Sequence, residues 1–118
     1  MPALNFKKVF KSKIAAGLKR STIRAFRKDG RDPRPGETLF LYTGMRTKAC
    51  QKLGQETCRR ARPIRIEAGG RILVDNQPLR ARDRLTLFRV DGFDRPGDFF
   101  EFFETTHGLP FEGVLIEW

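Results

Sequence analysis

Gly17 splits the front of the chain into two incompatible patterns, and any fold has to accommodate that break. Before it, Phe6, Val9, Phe10 and Ile14 recur at helical spacing, with Lys7, Lys8, Lys11 and Lys13 between them. Asn5 is placed to cap such a helix and Gly17 to end it in a left-handed turn. Lysines near the C-terminal end suit the helix dipole. After the break, Leu18-Lys19-Arg20-Ser21-Thr22-Ile23-Arg24 packs three cations, two hydroxyls and one isoleucine of the buried type into seven residues. Neither a plain helix nor a plain strand needs that mixture. An anion or nucleotide site does, because phosphates want cations and hydroxyl donors held by a rigid turn.

From Ser21 to Arg27 residue types alternate, which predicts a strand. Gly30, Pro33, Pro35 and Gly36 make the next stretch an exposed loop carrying Arg31 and Arg34. Thr38 to Tyr42 is nearly all apolar, as in a strand buried on both faces or in a small barrel. Residues 46–53 suit a short helix or an irregular strand, broken at Gly54. Thr57 to Glu67 predicts an extended run, with Pro63 arguing for an edge or a bulge. Arg71 to Val74 predicts a short strand, and Asp75-Asn76-Gln77-Pro78 a reversal. Leu85, Leu87, Phe88 and Val90 lead into Asp91-Gly92-Phe93. Pro96 opens a helix carrying Phe99, Phe100, Phe102 and Phe103 and closed by Gly108. These phenylalanines could stack on bases, but their helical spacing favours a core role. Phe111 to Trp118 reads as a final strand. The order predicts one α+β domain over residues 1–118, with enough strands to close a small barrel.

The 118 residues, 39% hydrophobic and 32% charged, are in the globular range. The chain carries 24 Lys and Arg against 14 Asp and Glu, for a net charge of +10. Residues 1–65 hold 18 of the cations and 4 of the acids, whereas residues 66–118 hold 6 and 10. That imbalance points to a polyanion footprint on one face, which a generally solubilising surface would not need. No stretch pairs a basic face with exposed Leu and Trp, which argues against a membrane surface. No apolar run spans a bilayer and the N-terminus lacks a signal-peptide core, so a cytoplasmic location is expected. Cys50 and Cys58 are expected to be reduced, partly buried thiols. With a single distant histidine they make no zinc set, and nothing calls for a metal or cofactor.

Gly17-x-Lys19-x-x-Thr22-Ile23-Arg24 behind an amphipathic helix resembles the signature of the ASCH domain, a relative of the PUA RNA-binding barrel. Pro35-Gly36-Glu37-Thr38-Leu39 resembles that family's entry to its next strand. Tyr42-Thr43-Gly44-Met45-Arg46-Thr47 resembles the version in short proteins of phage and prophage type. Asp91-Gly92-Phe93 and a closing strand ending in Trp118 are similar to its C-terminal half. The resemblance covers nearly the whole chain. It implies a small PUA-like β-barrel with short flanking helices and a cleft lined by the first motif. It also implies RNA-related roles: ribonuclease activity occurs within the family, and one bacterial branch is an amidohydrolase acting on acetylcytidine. In that branch a lysine, a threonine and a glutamate carry the chemistry. The first two match Lys19 and Thr22; Asp91 stands for the third, one methylene shorter.

A threonine hydroxyl needs a base close by, and Lys19 could serve if burial and neighbouring cations lower its pKa. In a continuous strand, positions 19 and 22 face opposite ways. They converge only if the chain bends just after Gly17 and the strand begins near Ser21. Asp91 would then hold the lysine or donate a proton. The simpler reading is that Lys19 and Arg24 bind a phosphate or pair with Asp91, without covalent catalysis. Nucleic acid, RNA ahead of DNA, is the expected partner of a monomer. Arg20, Arg24, Arg31, Arg34, Arg60 and Arg62 are candidate contacts, and Arg46 and Lys48 a candidate phosphate rim or a solvated turn. Tyr42 could stack on a base or sit at a barrel rim. A third reading is a phage-type interaction protein that occupies a host nucleic-acid-binding factor.

Overall fold

The nearly all-apolar run Thr38–Thr43 shows alternating burial in the computed structural model, which describes residues 3–118. In chain order the elements are β1 (Ala3–Phe6), a 3-10 turn (Lys8–Phe10), α1 (Lys11–Ala15), β2 (Ser21–Arg24) and β3 (Thr38–Thr43). Then come β4 (Gln51–Thr57), β5 (Arg60–Ile66), β6 (Ile72–Val74), β7 (Gln77–Pro78), α2 (Ala81–Val90), α3 (Pro96–Thr106) and β8 (Phe111–Glu117). The fold is α+β with two sheets, of order β1-β3-β4 and β2-β8-β5-β6-β7. Among the described residues the two sheets stay separate and close no barrel, contrary to that part of the expectation.

The five-stranded sheet has a core on each side, although Pro63, Glu112 and β7 stay exposed. One face packs Ile23, Ile64, Ile66, Ile72 and Leu115 against Phe88, Phe99 and Phe103 of the helices. The other packs Val114 and Ile116 against Leu4, Phe6, Leu39, Leu41 and Cys58. Val114, Leu115 and Ile116 are all buried because β8 runs between two layers, as a central strand flanked by β2 and β5. By contrast β3 fully buries only Leu39, Leu41 and Thr43, so of the two settings expected for it, burial on both faces is not the one found.

The first helix is shorter than its spacing predicts. Residues Ala3–Phe6 pair in parallel with Phe40–Thr43, and Leu4 and Phe6 fill the core between the sheets. Their burial outweighs the local helical period, and Val9 is left 72% exposed. Asn5 caps a different turn: its Oδ1 accepts from the Met45 N–H at 3.0 Å. Gly17 does end α1, at φ +72.

Gly54 does not break β4; the irregularity is at Leu53, where the register shifts between the Leu41–Gly54 and Tyr42–Lys52 pairs. The run from Thr57 divides at Cys58-Arg59 into β4 and β5. Pro63 lies where β6 has already turned away, its carbonyl accepting from Asp75 at 3.0 Å. That reversal carries positive φ at Asp75 and Asn76, the hairpin geometry of a type I′ turn. The helix α2 escaped the sequence reading. Arg82, Asp83, Arg84 and Arg89 take four of its ten positions and only Phe88 is buried, so its apolar stripe is narrow.

Cys50 is exposed, contrary to expectation, whereas Cys58 is 1% exposed and burial raises its thiol pKa. Both effects withhold the thiolate at Cys58. One thiol per native chain is expected to react with a colorimetric disulfide reagent at neutral pH, and two after denaturation. Two rapid native reactions would contradict the packing around Cys58.

Candidate functional site

The chain bends behind α1 as the motif requires. The N–H groups of Leu18 and Lys19 both donate to Lys13 O, at 2.9 and 3.1 Å, and Arg20 N–H donates to Val90 O at 2.8 Å. This ties the bend to the end of α2, where Asp91 follows directly. The Lys19 side chain therefore turns inward and is 2% exposed, as is Asp91.

The Lys19 ammonium donates to Ser21 O at 2.7 Å and to Asp91 O at 2.5 Å. It stands 3.6 Å from Asp91 Oδ1, which accepts from Ser21 Oγ at 2.9 Å. The ammonium lies 4.6 Å from the Phe10 ring centroid and 5.6 Å from that of Phe6. Arg24 covers Phe6 from another side at 4.9 Å. Its Nε donates to Thr22 Oγ1 at 3.1 Å and its Nη2 to Asn5 O at 2.5 Å. Gly92, at φ +99, keeps the lysine stem in place. A Cβ there would come within 3.0 Å of Lys19 Cδ and of the Phe10 ring.

Lys19, Thr22, Arg24 and Asp91 line one hollow of about 280 Å³ at the edge strand β2. Phe6, Phe10, Phe93 and Phe102 supply flat apolar walls, with Lys7, Thr106 and His107 also on the lining. Burial lowers the Lys19 pKa below the ordinary lysine value, while Asp91 pulls it back up. Burial likewise raises the Asp91 carboxyl above its ordinary range, with Lys19 opposing. Burial also lowers Arg24.

The candidate catalytic residues Lys19, Thr22 and Asp91 thus meet Arg24 in one place, and the other expected nucleic-acid contacts lie elsewhere. Arg20 is exposed and its Nε donates to Trp118 O at 3.2 Å. Arg31 and Arg34 line a separate loop cavity of about 430 Å³ with Arg27 and Glu37. There Asp29, Asp32 and Glu37 each accept from a loop N–H. Tyr42 lies on the outward parity of β3, in register with Asn5 and Lys52. Arg46, at φ +65, and Lys48 belong to the exposed turn before β4. Arg60 and Arg62 grip Glu117 at 2.6 and 2.5 Å in a cleft beside α2.

Strand order therefore sets acids of the later part of the chain beside arginines of the earlier part. Strand β8, carrying Glu112 and Glu117, runs between β2 and β5 and neutralises part of the arginine set.

Sequence reasoning did not assign Ser21, whose hydroxyl anchors Asp91, or His107, whose ring stacks on Phe103 at 6.0 Å, to the site. It placed Phe6 and Phe10 on the apolar face of one helix and gave them no part in the site. The alternation from Ser21 signalled that Ser21 faces away from Thr22, but nothing local signalled His107. In comparisons with known proteins, the chain matches no family model, no curated protein and no solved structure.

Proposed function

We propose that this hollow takes a nucleotide of RNA or of another single-stranded nucleic acid, and that the chain is an ASCH-like nucleic-acid-binding domain. On this reading the two stacked sheets correspond to the PUA-like barrel. The observation that carries it is the juxtaposition of two cations, a hydroxyl and several aromatic faces in one hollow of about 280 Å³. Aromatic walls suit a base, and cations suit the phosphate beside it. Arg24 is the phosphate contact. Two of its N–H groups are engaged within the protein, and a guanidinium has five. Lys19 acts mainly as a fixed positive charge, because its donors already serve Ser21 O and Asp91 O.

Binding of a labelled RNA oligonucleotide, followed by fluorescence anisotropy, is expected to weaken at least about tenfold between about 50 and 200 mM salt. Arg24→Ala should weaken it by a further factor of about ten. Affinity indifferent to both salt and Arg24 would remove the electrostatic basis of the reading.

A second reading is hydrolysis of an acylated nucleoside such as acetylcytidine. It is favoured by one feature: Thr22 Oγ1 accepts a hydrogen bond from Arg24, which leaves its own O–H proton available to a base. Burial that lowers Lys19 moves it toward that role. Incubation with acetylcytidine should then release cytidine, and Lys19→Ala and Thr22→Ala should each abolish release. Turnover that survives both changes would rule out this chemistry here.

A further inference from the structure

The arginines of β5 need an account of their own, because they face away from the Lys19 hollow. Ser21, Ile23, Leu115 and Glu117 share one face of the β2–β8 pair, and Arg60 and Arg62 join that face from β5. Thr22 and Arg24 are on the other. The β5 face looks onto α2 across a cleft of about 390 Å³, a volume within the range of small-molecule sites.

Two features of this cleft are left over by the fold. The first is a mismatch of charge and donors. Arg59, Arg60 and Arg62 all converge on the single carboxylate of Glu117, at 3.8, 2.6 and 2.5 Å. Asp83 across the cleft brings the balance only to one excess positive charge. Arg62 Nε is buried and has no hydrogen-bond acceptor among the described residues. A buried N–H of that kind is costly, and few persist without a partner or a ligand. The second feature is apolar. Leu79, Leu87 and Val90 keep part of their surface exposed and face the arginines together with buried Val74 and Leu115.

Guanidinium groups arranged to hold a planar anion beside an aliphatic wall define a ligand chemistry. We propose that the cleft between β5, β8 and α2 is a second ligand site, taking a phosphate or carboxylate carried on an apolar aryl or alkyl body. The anion engages Arg62 Nε and the outer N–H groups of Arg60 and Arg62, while the body lies against Leu79 and Leu87. Glu117 is then the internal occupant that holds the arginines in place and competes with the ligand's anion. The Ser21–Asp91 hydrogen bond lies between the cleft and the Lys19 hollow, which opens around the free edge of β2, so the two sites have separate linings.

The test is a ¹H–¹⁵N NMR titration of the whole chain with phenyl phosphate, benzoate and inorganic phosphate. Phenyl phosphate or benzoate should shift the amides of Thr86, Leu87 and Leu115 and the Arg62 Nε–Hε resonance. Which of the two binds more tightly assigns the anion. Inorganic phosphate, lacking the body, should bind at least about fivefold more weakly than the better aryl probe. Glu117→Gln should tighten the aryl probe at least about fivefold by removing the competing charge, and Arg62→Lys should weaken it by a similar factor. The proposal is overturned if the aryl probes leave the Arg62 and Leu87 signals of the unaltered protein in place. It is also overturned if they shift only the Lys19 hollow, if they bind no better than inorganic phosphate, or if Arg62→Lys binds them equally well.

Discussion

Lys19→Met is expected to destabilise the protein by about 3–5 kcal/mol in urea denaturation, the range for removing one partner of a buried ion pair. Methionine matches the length of the lysine stem, so the loss is electrostatic and not a cavity. Asp91, 2% exposed, would then keep only Ser21 Oγ as a side-chain partner. The carbonyls of Ser21 and Asp91 would also lose the ammonium that serves them. The double variant Lys19→Met/Asp91→Asn should recover about half or more of the loss, because no uncompensated charge remains and Ser21 can still donate. If the single variant were as stable as the unaltered chain, the pair would not be buried as described. If the double variant recovered nothing, the lost stability would belong to packing.

Gly113→Ala should be comparably severe, about 3–5 kcal/mol, because overpacking against rigid backbone is among the few ways one methyl does such damage. A Cβ at Gly113 would fall 2.2 Å from Arg24 O and 2.9 Å from Phe111 Cζ. Both belong to elements pinned by the core, so β2 would have to part from β8. Arg24 would move with it, and RNA affinity should fall together with stability. Gly54→Ala is the matching control, since a Cβ there meets nothing within 4 Å. It should change stability by less than about 1 kcal/mol. Thermal melts of the two variants decide the matter; equal midpoints would mean that β2 and β8 are not packed this closely.

Both changes act on one small region, and they show how its construction could and could not be read in advance. The break at Gly17 and the alternation from Ser21 were legible because turn geometry and strand period are local properties. They implied that Lys19 and Thr22 could face one space only if the chain bent, and the bend is there. Pro96 and Gly108 likewise marked α3 almost to the residue. The strand at Ala3–Phe6 was not legible. Phe6 and Phe10 satisfy a helical period, and only the parallel partner strand from residue 38 onward makes Ala3–Phe6 extended. The narrow apolar stripe of α2 had the same fate, since a helix with one buried residue has little pattern to read.

The charge asymmetry shows the limit most plainly. Counting cations along the chain suggested a single basic face, but strand order is not sequence order. The partners of Arg60 and Arg62 lie 57 and 55 residues away, on a strand that the sheet inserts between them and Arg24.

What the sequence determined alone was the local grammar: an α+β chain, a glycine-ended helix, and cations and hydroxyls crowded behind it. Those follow from backbone sterics and side-chain period, which act over a few residues. Only the tertiary structure decided that Lys19 would be sealed against Asp91 beneath two phenylalanine rings while the β5 arginines turned to the opposite face. Burial and sheet pairing act between residues far apart in the chain, and no local pattern encodes which of them will meet.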